Sequence, residues 1–414
     1  MEKTHSNNLL LYGILIVIAV IISLFHFHGT EETWELWNIP TLNPEFADLR
    51  TITGGAESKE MGYDPMIENP GDPWNRPMNY PRIWQSLYWF GIDRDHTFII
   101  GIILIVLFVA GLLLFFKRRA ILSENILLLL AIFSPAVMLT VERGNIDMLM
   151  FFLISLAVFL IRKETSYSRV AAFISILIAF VLKLYPVFAI LIFLKEKREV
   201  FIKYFIAIFF LAFVYAIATY TDLVLIFKNT PKDAYLSYGL DVLWTFFYRQ
   251  NETLGIIAEL LSYLLFILMM IFSLINFYLE GTIKKFENTR AIHGFRAGAA
   301  IFIATFLLGN NFDYRLIFLL FVLPQMFTFL KSPIKSLSRI SLVIVICIFI
   351  SMWHLVISRI MLNTGLSMKY SIAIDEAANW LVFLGLTYLF INTLPDWIRG
   401  RAKAGKSGSH KQIE

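Results

Sequence analysis

Runs of apolar residues recur along almost the whole chain, and the longer ones reach about 17–25 residues, the length at which a helix crosses a bilayer core. They fall near residues 8–26, 97–116, 124–141, 146–161, 169–182, 184–194, 204–221, 254–280, 296–309, 315–330, 340–360 and 377–394. The spacing predicts an all-α polytopic membrane protein of about twelve transmembrane helices. Composition agrees: 58% of the 414 residues are hydrophobic and only 16% are charged, against about 25% charged in a soluble domain. The 39 Phe, 17 Tyr and 9 Trp suit lipid-facing helices and interfacial belts. The first run has no small-residue cleavage site after it, so it reads as a retained helix. The single cysteine, Cys347, excludes an intramolecular disulfide. The net charge of +5 reflects topology rather than a nucleic-acid partner.

Basic residues between the runs alternate in position. Lys117-Arg118-Arg119, Arg162-Lys163, Lys195 with Lys197 and Arg198, Lys284-Lys285, Lys331 with Lys335 and Arg339, and the tail from Arg399 all fall on one side if every run crosses. The positive-inside rule makes that side cytoplasmic. Merging 169–194 into one helix would move the 195–198 cluster outside, so two crossings are expected there. Residues 1–395 read as one transmembrane domain and 396–414 as a basic cytoplasmic tail.

Four polar segments then share the outer face. They are the first loop (27–96), VERGNIDML at 141–149, KLYP at 183–186 and GNNFDYRL at 309–316. Ionisable groups in or beside membrane spans are costly and face a bundle interior or a wet cavity. Helix caps need Ser, Asn or Gly rather than paired Arg and Asp, so four such segments on one face point to a site. A plainer alternative is an internal Glu142–Arg143–Asp147 network that pins the third and fourth helices.

The first loop is long and holds seven of the 13 prolines and five tryptophans, Trp34, Trp37, Trp74, Trp84 and Trp89. Disordered segments are poor in aromatics, and long ordered loops usually carry function. Short helices lying on the outer surface are expected. His26 and His28 stand two apart and do not share a helix face. No carboxylate–histidine group with metal spacing is legible elsewhere, and no metal is expected.

Together these segments offer carboxylates (Asp48, Asp64, Glu142, Asp147, Asp313), cations (Arg50, Arg82, Arg143, Lys183, Arg315) and amides (Asn79, Asn145, Asn310, Asn311). Phosphate-loop, dinucleotide and nucleophile-elbow motifs are absent from the sequence. Arg and Lys bind phosphate oxygens, and a carboxylate can take a proton from an attacking hydroxyl. Sugar transfer from a lipid phosphate needs both. Its leaving group requires charge stabilisation rather than a protonating acid, so one carboxylate suffices where glycoside hydrolysis needs two.

At this point a family resemblance enters. Asp48, the GYDP turn at 62–65, NYP at 79–81, RGNID at 143–147, KLYP at 183–186 and NNFDYR at 310–315 resemble the GT-C membrane glycosyltransferases. The likeness is greatest to glycosyltransferase family 87 (DUF2029), and it covers about residues 10–395. The resemblance implies a GT-C bundle, a polyprenyl-phosphate-linked sugar donor, a lipid or glycan acceptor, and inverting transfer of a hexose such as mannose. It implies no cofactor, a plasma (inner) membrane location and an active site facing outside. Asp48 takes the family's base position. Asp64, Asn79, Tyr80, Lys183, Tyr185, Asn310, Asn311, Asp313 and Arg315 fall in the motifs. Arg143 would hold the donor phosphate or orient Asp48, with Glu142 fixing Arg143 and Asn145 and Asp147 binding sugar hydroxyls. Two departures bear on donor and acceptor rather than fold: Gly144-Asn145 and Asp147 stand where many members read Gly-Gln-x-Asn, and Arg82 stands where a second proline is common.

Two other functions fit an outer polar face. A transporter or flippase of lipid-linked glycans would show internal repeats with interrupted helices, and none is legible. A glycan ligase or polymerase carries its long outer loop late in the chain, whereas here it follows the first span.

Overall fold

A computed structural model describes residues 9–116, 121–279, 289–395 and 397–398. The basic clusters at 117–119 and 284–285 and the tail from Arg399 lie outside the described residues. The chain is helical almost throughout. After α1 (Leu9–His28), the first loop forms α2 (Thr30–Glu35), α3 (Ala47–Glu60) and two 3-10 turns, Arg82–Phe90 and Arg94–His96. Then follow α4 (Thr97–Phe115), α5 (Leu122–Ile132), α6 (Pro135–Glu142), α7 (Asp147–Ile161) and α8 (Ser166–Lys183). A 3-10 segment, Tyr185–Lys195, leads into α9 (Arg198–Ala218), α10 (Tyr220–Asn229), β1 (Ser237–Tyr238), α11 (Val242–Tyr248), α12 (Glu252–Leu279) and α13 (Thr289–Leu307). The chain ends with β2 (Asn311–Phe312), a 3-10 segment Asp313–Phe321, α14 (Leu323–Leu330), α15 (Lys335–Asn363) and α16 (Met368–Asn392).

Each expected run has its helix. Among the described residues seven are long and apolar enough to cross a membrane, and the count reaches nine if two bent pairs are each one span. The pairs are α5–α6, bent by 43°, and Asp313–Phe321 with α14, bent by 55°. Proline causes the first bend. Pro135 opens α6 without an N–H to give, and it holds Ser134 extended at ψ 154. The remaining three, Asp147–Ile161, Tyr185–Lys195 and Ala291–Leu307, are shorter. The last helix departs most from expectation. It starts at Met368 rather than near 377, so Asp375 and Glu376 lie inside it and are buried.

Helices that are apolar on all sides must face lipid or be wholly enclosed. α9 faces outward along nearly its whole length, whereas α16 is mostly buried. The interior is built on α7, α13 and the Asp313–Phe321 segment, where Phe151 stacks on Phe321 (4.4 Å) and Phe306 on Phe383 (4.3 Å).

Ion pairs mark one end of the bundle. Lys195 meets Glu164, Arg169 meets Glu196 and Lys331 meets Glu124. α7 leaves that end by its last turn and α8 enters by its first, so Asp147 and Lys183 stand at the other end, under the first loop. That loop is packed, as its composition required. α3 buries Leu49, Ile52 and Ala56. Its Gly54 touches Gly71 so closely that a Cβ would sit 2.4 Å from the Gly71 carbonyl oxygen. Asp72 caps the following turn, accepting from Trp74 N–H and Arg76 N–H and from Thr51 Oγ1.

Candidate active site

Asp48 occupies the first turn of α3, just after Phe46, whose φ of 60° turns the chain sharply. Its N–H donates to the Arg143 carbonyl at 2.9 Å, which ties α3 to the α6–α7 corner. Gly144 makes that corner with φ 58°, and a Cβ there would lie 2.7 Å from Phe46 Cβ. Glycine is therefore required at Gly144 by both conformation and space.

The corner delivers Asn145 between two charges. Its Nδ2 donates to Asp48 Oδ2 at 2.6 Å, and its Oδ1 accepts from Lys183 Nζ at 2.8 Å and from Asp147 N–H at 3.0 Å. Lys183 also pairs with Asp147 at 2.6 Å. Asp147 is wholly buried and accepts from the Tyr185 hydroxyl. Arg315 completes the group: its Nε is 4.0 Å from Asp147 Oδ2, it donates to Asn311 Oδ1, and its guanidinium lies 4.9 Å from the Tyr185 ring centroid. The rings of Tyr80 and Tyr314 stand 5.4 and 5.5 Å from Lys183 Nζ. Burial, and after it the nearby Asp48, push the Tyr80 phenol well above its ordinary range, so it stays neutral and able to donate.

Two cavities meet here. One, of about 340 Å³, is lined by Asp48, Arg143 and Arg76. The other, of about 400 Å³, is lined by Lys183, Arg315 and Asn310 and walled by apolar residues of α10. Asn79, Tyr80 and Tyr314 line both. A half-buried carboxylate thus opens into one cavity and two cations into the next, with Asn145 hydrogen-bonded to both sides.

Several expected residues stand elsewhere. Arg143 has its side chain paired with Glu142 and donating to the Pro40 carbonyl at 2.9 Å, while Glu142 accepts from Leu42 N–H. This pair fastens loop 40–42, and Arg143 serves Asp48 through its main chain. Asp147 is not part of that pair, because it neutralises Lys183 instead. Arg50 turns away and donates to the Glu45 carbonyl. Asp64 and Arg82 form a separate clasp: Arg82 pairs with Asp64 at 3.1 Å and with Asp222 of α10 at 2.8 Å. Asn310 and Asn311 mainly hold the β2 turn, donating to the Asp233 and Thr305 carbonyls. Asp313 faces the opposite way, toward His354.

Sequence reasoning missed Tyr314, Arg76 and Asp222. Tyr314 was legible inside NNFDYR, but the position of α10 over the cavity had no local signal. It also missed a carboxylate–histidine group, Asp313–His354–Asp375, assembled from three distant elements; the expectation that none existed is corrected.

Clasp chemistry yields a pH prediction. Burial works against the Asp64 charge, but hydrogen bonds from Arg82 and Met66 N–H bring its carboxyl below the ordinary value. Such a group stabilises the fold at neutral pH and loses that contribution as pH falls through its lowered pKa. Asp222→Asn, which opens the clasp from the other side, is expected to raise the KM of the reaction with little change in kcat. An unchanged KM would show that α10 does not shape a substrate-binding cavity.

Among known proteins, the family model of glycosyltransferase family 87 matches residues 96–333, more than half of the chain. That stretch contains Asn145, Lys183 and Arg315 but not Asp48. No curated protein and no solved structure matches.

Proposed function

This chain belongs to glycosyltransferase family 87 and is a membrane glycosyltransferase, and we propose that it moves a hexose from a polyprenyl-phosphate sugar to a lipid or glycan hydroxyl, with inversion. The observation that carries this reading is Asn145, which bonds Asp48 at 2.6 Å and Lys183 at 2.8 Å. It sets a proton acceptor and a phosphate-binding cation pair on either side of the Tyr80–Tyr314 wall.

In this reading the acceptor hydroxyl lies against Asp48 and gives it the proton. The hydroxyl oxygen attacks the anomeric carbon, and the bond from that carbon to the phosphate oxygen breaks. The departing polyprenyl phosphate gains a negative charge without taking a proton, and Lys183 and Arg315 neutralise it. Charges aimed at where charge develops contribute most in a dry site, and both cations are largely buried. A single displacement inverts the anomeric centre.

Purified protein incubated with polyprenyl-phosphate hexoses and a cell-envelope lipid extract should yield a glycosylated lipid by mass spectrometry, with the free polyprenyl phosphate as co-product. Transfer from a nucleotide sugar and none from any polyprenyl-phosphate hexose would overturn the donor.

The proposed orientation puts this chemistry on the outer face of the membrane. Glu60 is exposed in the first loop, and Cys347 is buried. A Glu60→Cys variant in intact spheroplasts should therefore react with an impermeant thiol reagent. Reaction only after permeabilisation would place the site inside.

A further inference from the structure

Behind the active site, α15 and α16 enclose a second polar group that the transfer chemistry does not use. Asp313, His354 and Asp375 each present a ligand atom, and all of these atoms lie within 4.8 Å of one another. None of the three is more than 3% exposed. His354 Nδ1 stands 3.4 Å from Asp313 Oδ2 and 3.3 Å from the Ser351 carbonyl. Among the described residues, both Asp313 oxygens, Asp375 Oδ1 and His354 Nε2 have no hydrogen-bond partner. Asn379, wholly buried one helical turn beyond Asp375, stands beside the Asp375 carboxylate. The charged groups facing Asp313 are further carboxylates, Asp375, Asp233 and Glu376. Among the described residues Asp313 pairs with an imidazole rather than with a Lys or Arg.

Buried polar atoms are hydrogen-bonded in nearly all native interiors, and a buried charge without a partner costs several kcal/mol. Unpartnered atoms on Asp313, His354 and Asp375 converge from the Asp313 turn, α15 and α16, and one common ligand would satisfy them. A monovalent cation or a water would leave two carboxylates poorly balanced, whereas a divalent cation cancels them. The imidazole selects further: nitrogen ligands suit Zn²⁺ and Mn²⁺, whereas Ca²⁺ and Mg²⁺ take oxygen. Metal–ligand bonds of about 2.0–2.2 Å set tetrahedral ligand atoms roughly 3.4 Å apart, and the ligand atoms of the three side chains lie within 4.8 Å of one another.

We propose that Asp313, His354 and Asp375, with Asn379 beside them, bind one divalent transition-metal ion, Zn²⁺ or Mn²⁺. Its place is structural. Asp313 stands two residues before Arg315 at the start of the same 3-10 segment, so the ion would fasten that turn to α15 and α16 and hold Arg315 beside Asp147. It is not a ligand of the leaving phosphate, which meets Lys183 and Arg315 on the other face of the turn.

Metal analysis of the full-length protein, purified without added metal or chelator, tests this independently of the transfer reaction. About one equivalent of zinc or manganese per chain is expected, and both Asp375→Asn and His354→Gln should lose it. Prolonged dialysis against a strong chelator should lower the melting temperature of wild type, and the lost ion should restore it. Thermal stability separates a metal site from mere crowding of acids. With a metal, Asp375→Asn melts lower than wild type; with crowded acids alone, removing one charge makes it melt higher. Metal-free wild type whose melting does not respond to Zn²⁺ or Mn²⁺ overturns the proposal even if the variants fail to fold.

Discussion

Asp48→Asn is expected to lower turnover by about 10²–10⁴-fold, the usual worth of a positioned general base. The melting temperature of the detergent-purified protein should stay close to that of wild type. Asparagine keeps an oxygen to accept from Asn145 Nδ2, and the bond from its N–H to the Arg143 carbonyl belongs to the main chain. Only proton affinity is removed. The neighbouring carboxylates are engaged elsewhere: Asp147 with Lys183 and Tyr185, Asp72 with Arg76 and Thr51, and Glu142 with Arg143 and Leu42 N–H. The KM for donor should change little, since the proposed donor-phosphate site lies in the adjoining cavity. Purified Asn variant that turns over at the wild-type rate would remove Asp48 from the chemistry and leave Asn145 as a purely structural bridge.

What the sequence disclosed follows from how local each signal is. Apolar runs are local, and a helix formed at every expected position, including the short Tyr185–Lys195 segment. The polar clusters at 143–147, 183–186 and 310–315 are local too, and Asn145, Lys183 and Arg315 do converge. Pairings are not local. Glu142 and Arg143 are adjacent in sequence and pair with each other, but nothing in their spacing says that Arg143 then fastens to the Pro40 carbonyl instead of reaching a phosphate. Nothing local to Asp147 says that Lys183 and Tyr185, nearly forty residues on, pair with it. Asp375 and Glu376 were hidden by a hydropathy window that placed them before the last span. In the fold, α16 reaches back to Met368 and buries both, because His354 on α15 and the Asp313 turn cover them.

Lys183 carries the second large effect, and its test separates structure from binding. Lys183→Met leaves Asp147 charged, wholly buried and short of its main counter-ion. Breaking such a pair from one side costs about 3–5 kcal/mol, so a steep fall in melting temperature is expected. Adding Asp147→Asn removes the orphaned charge. The asparagine oxygen can still accept from the Tyr185 hydroxyl, so the double variant should regain most of the lost stability. Donor binding should not return with it. A charge-assisted hydrogen bond to phosphate is worth about 1.5–3 kcal/mol, which means roughly a ten- to hundredfold weaker affinity for the donor lipid. Arg315 remains in place and accounts for what affinity persists. Had Lys183 served only to neutralise Asp147, the double variant would bind donor and transfer sugar like wild type, and the phosphate site would have to be sought at Lys232, the other lysine that lines the same cavity. Loss of binding in a variant that folds well instead assigns the lysine two tasks at once, with Asp147 fixing its position and the donor phosphate sharing its charge.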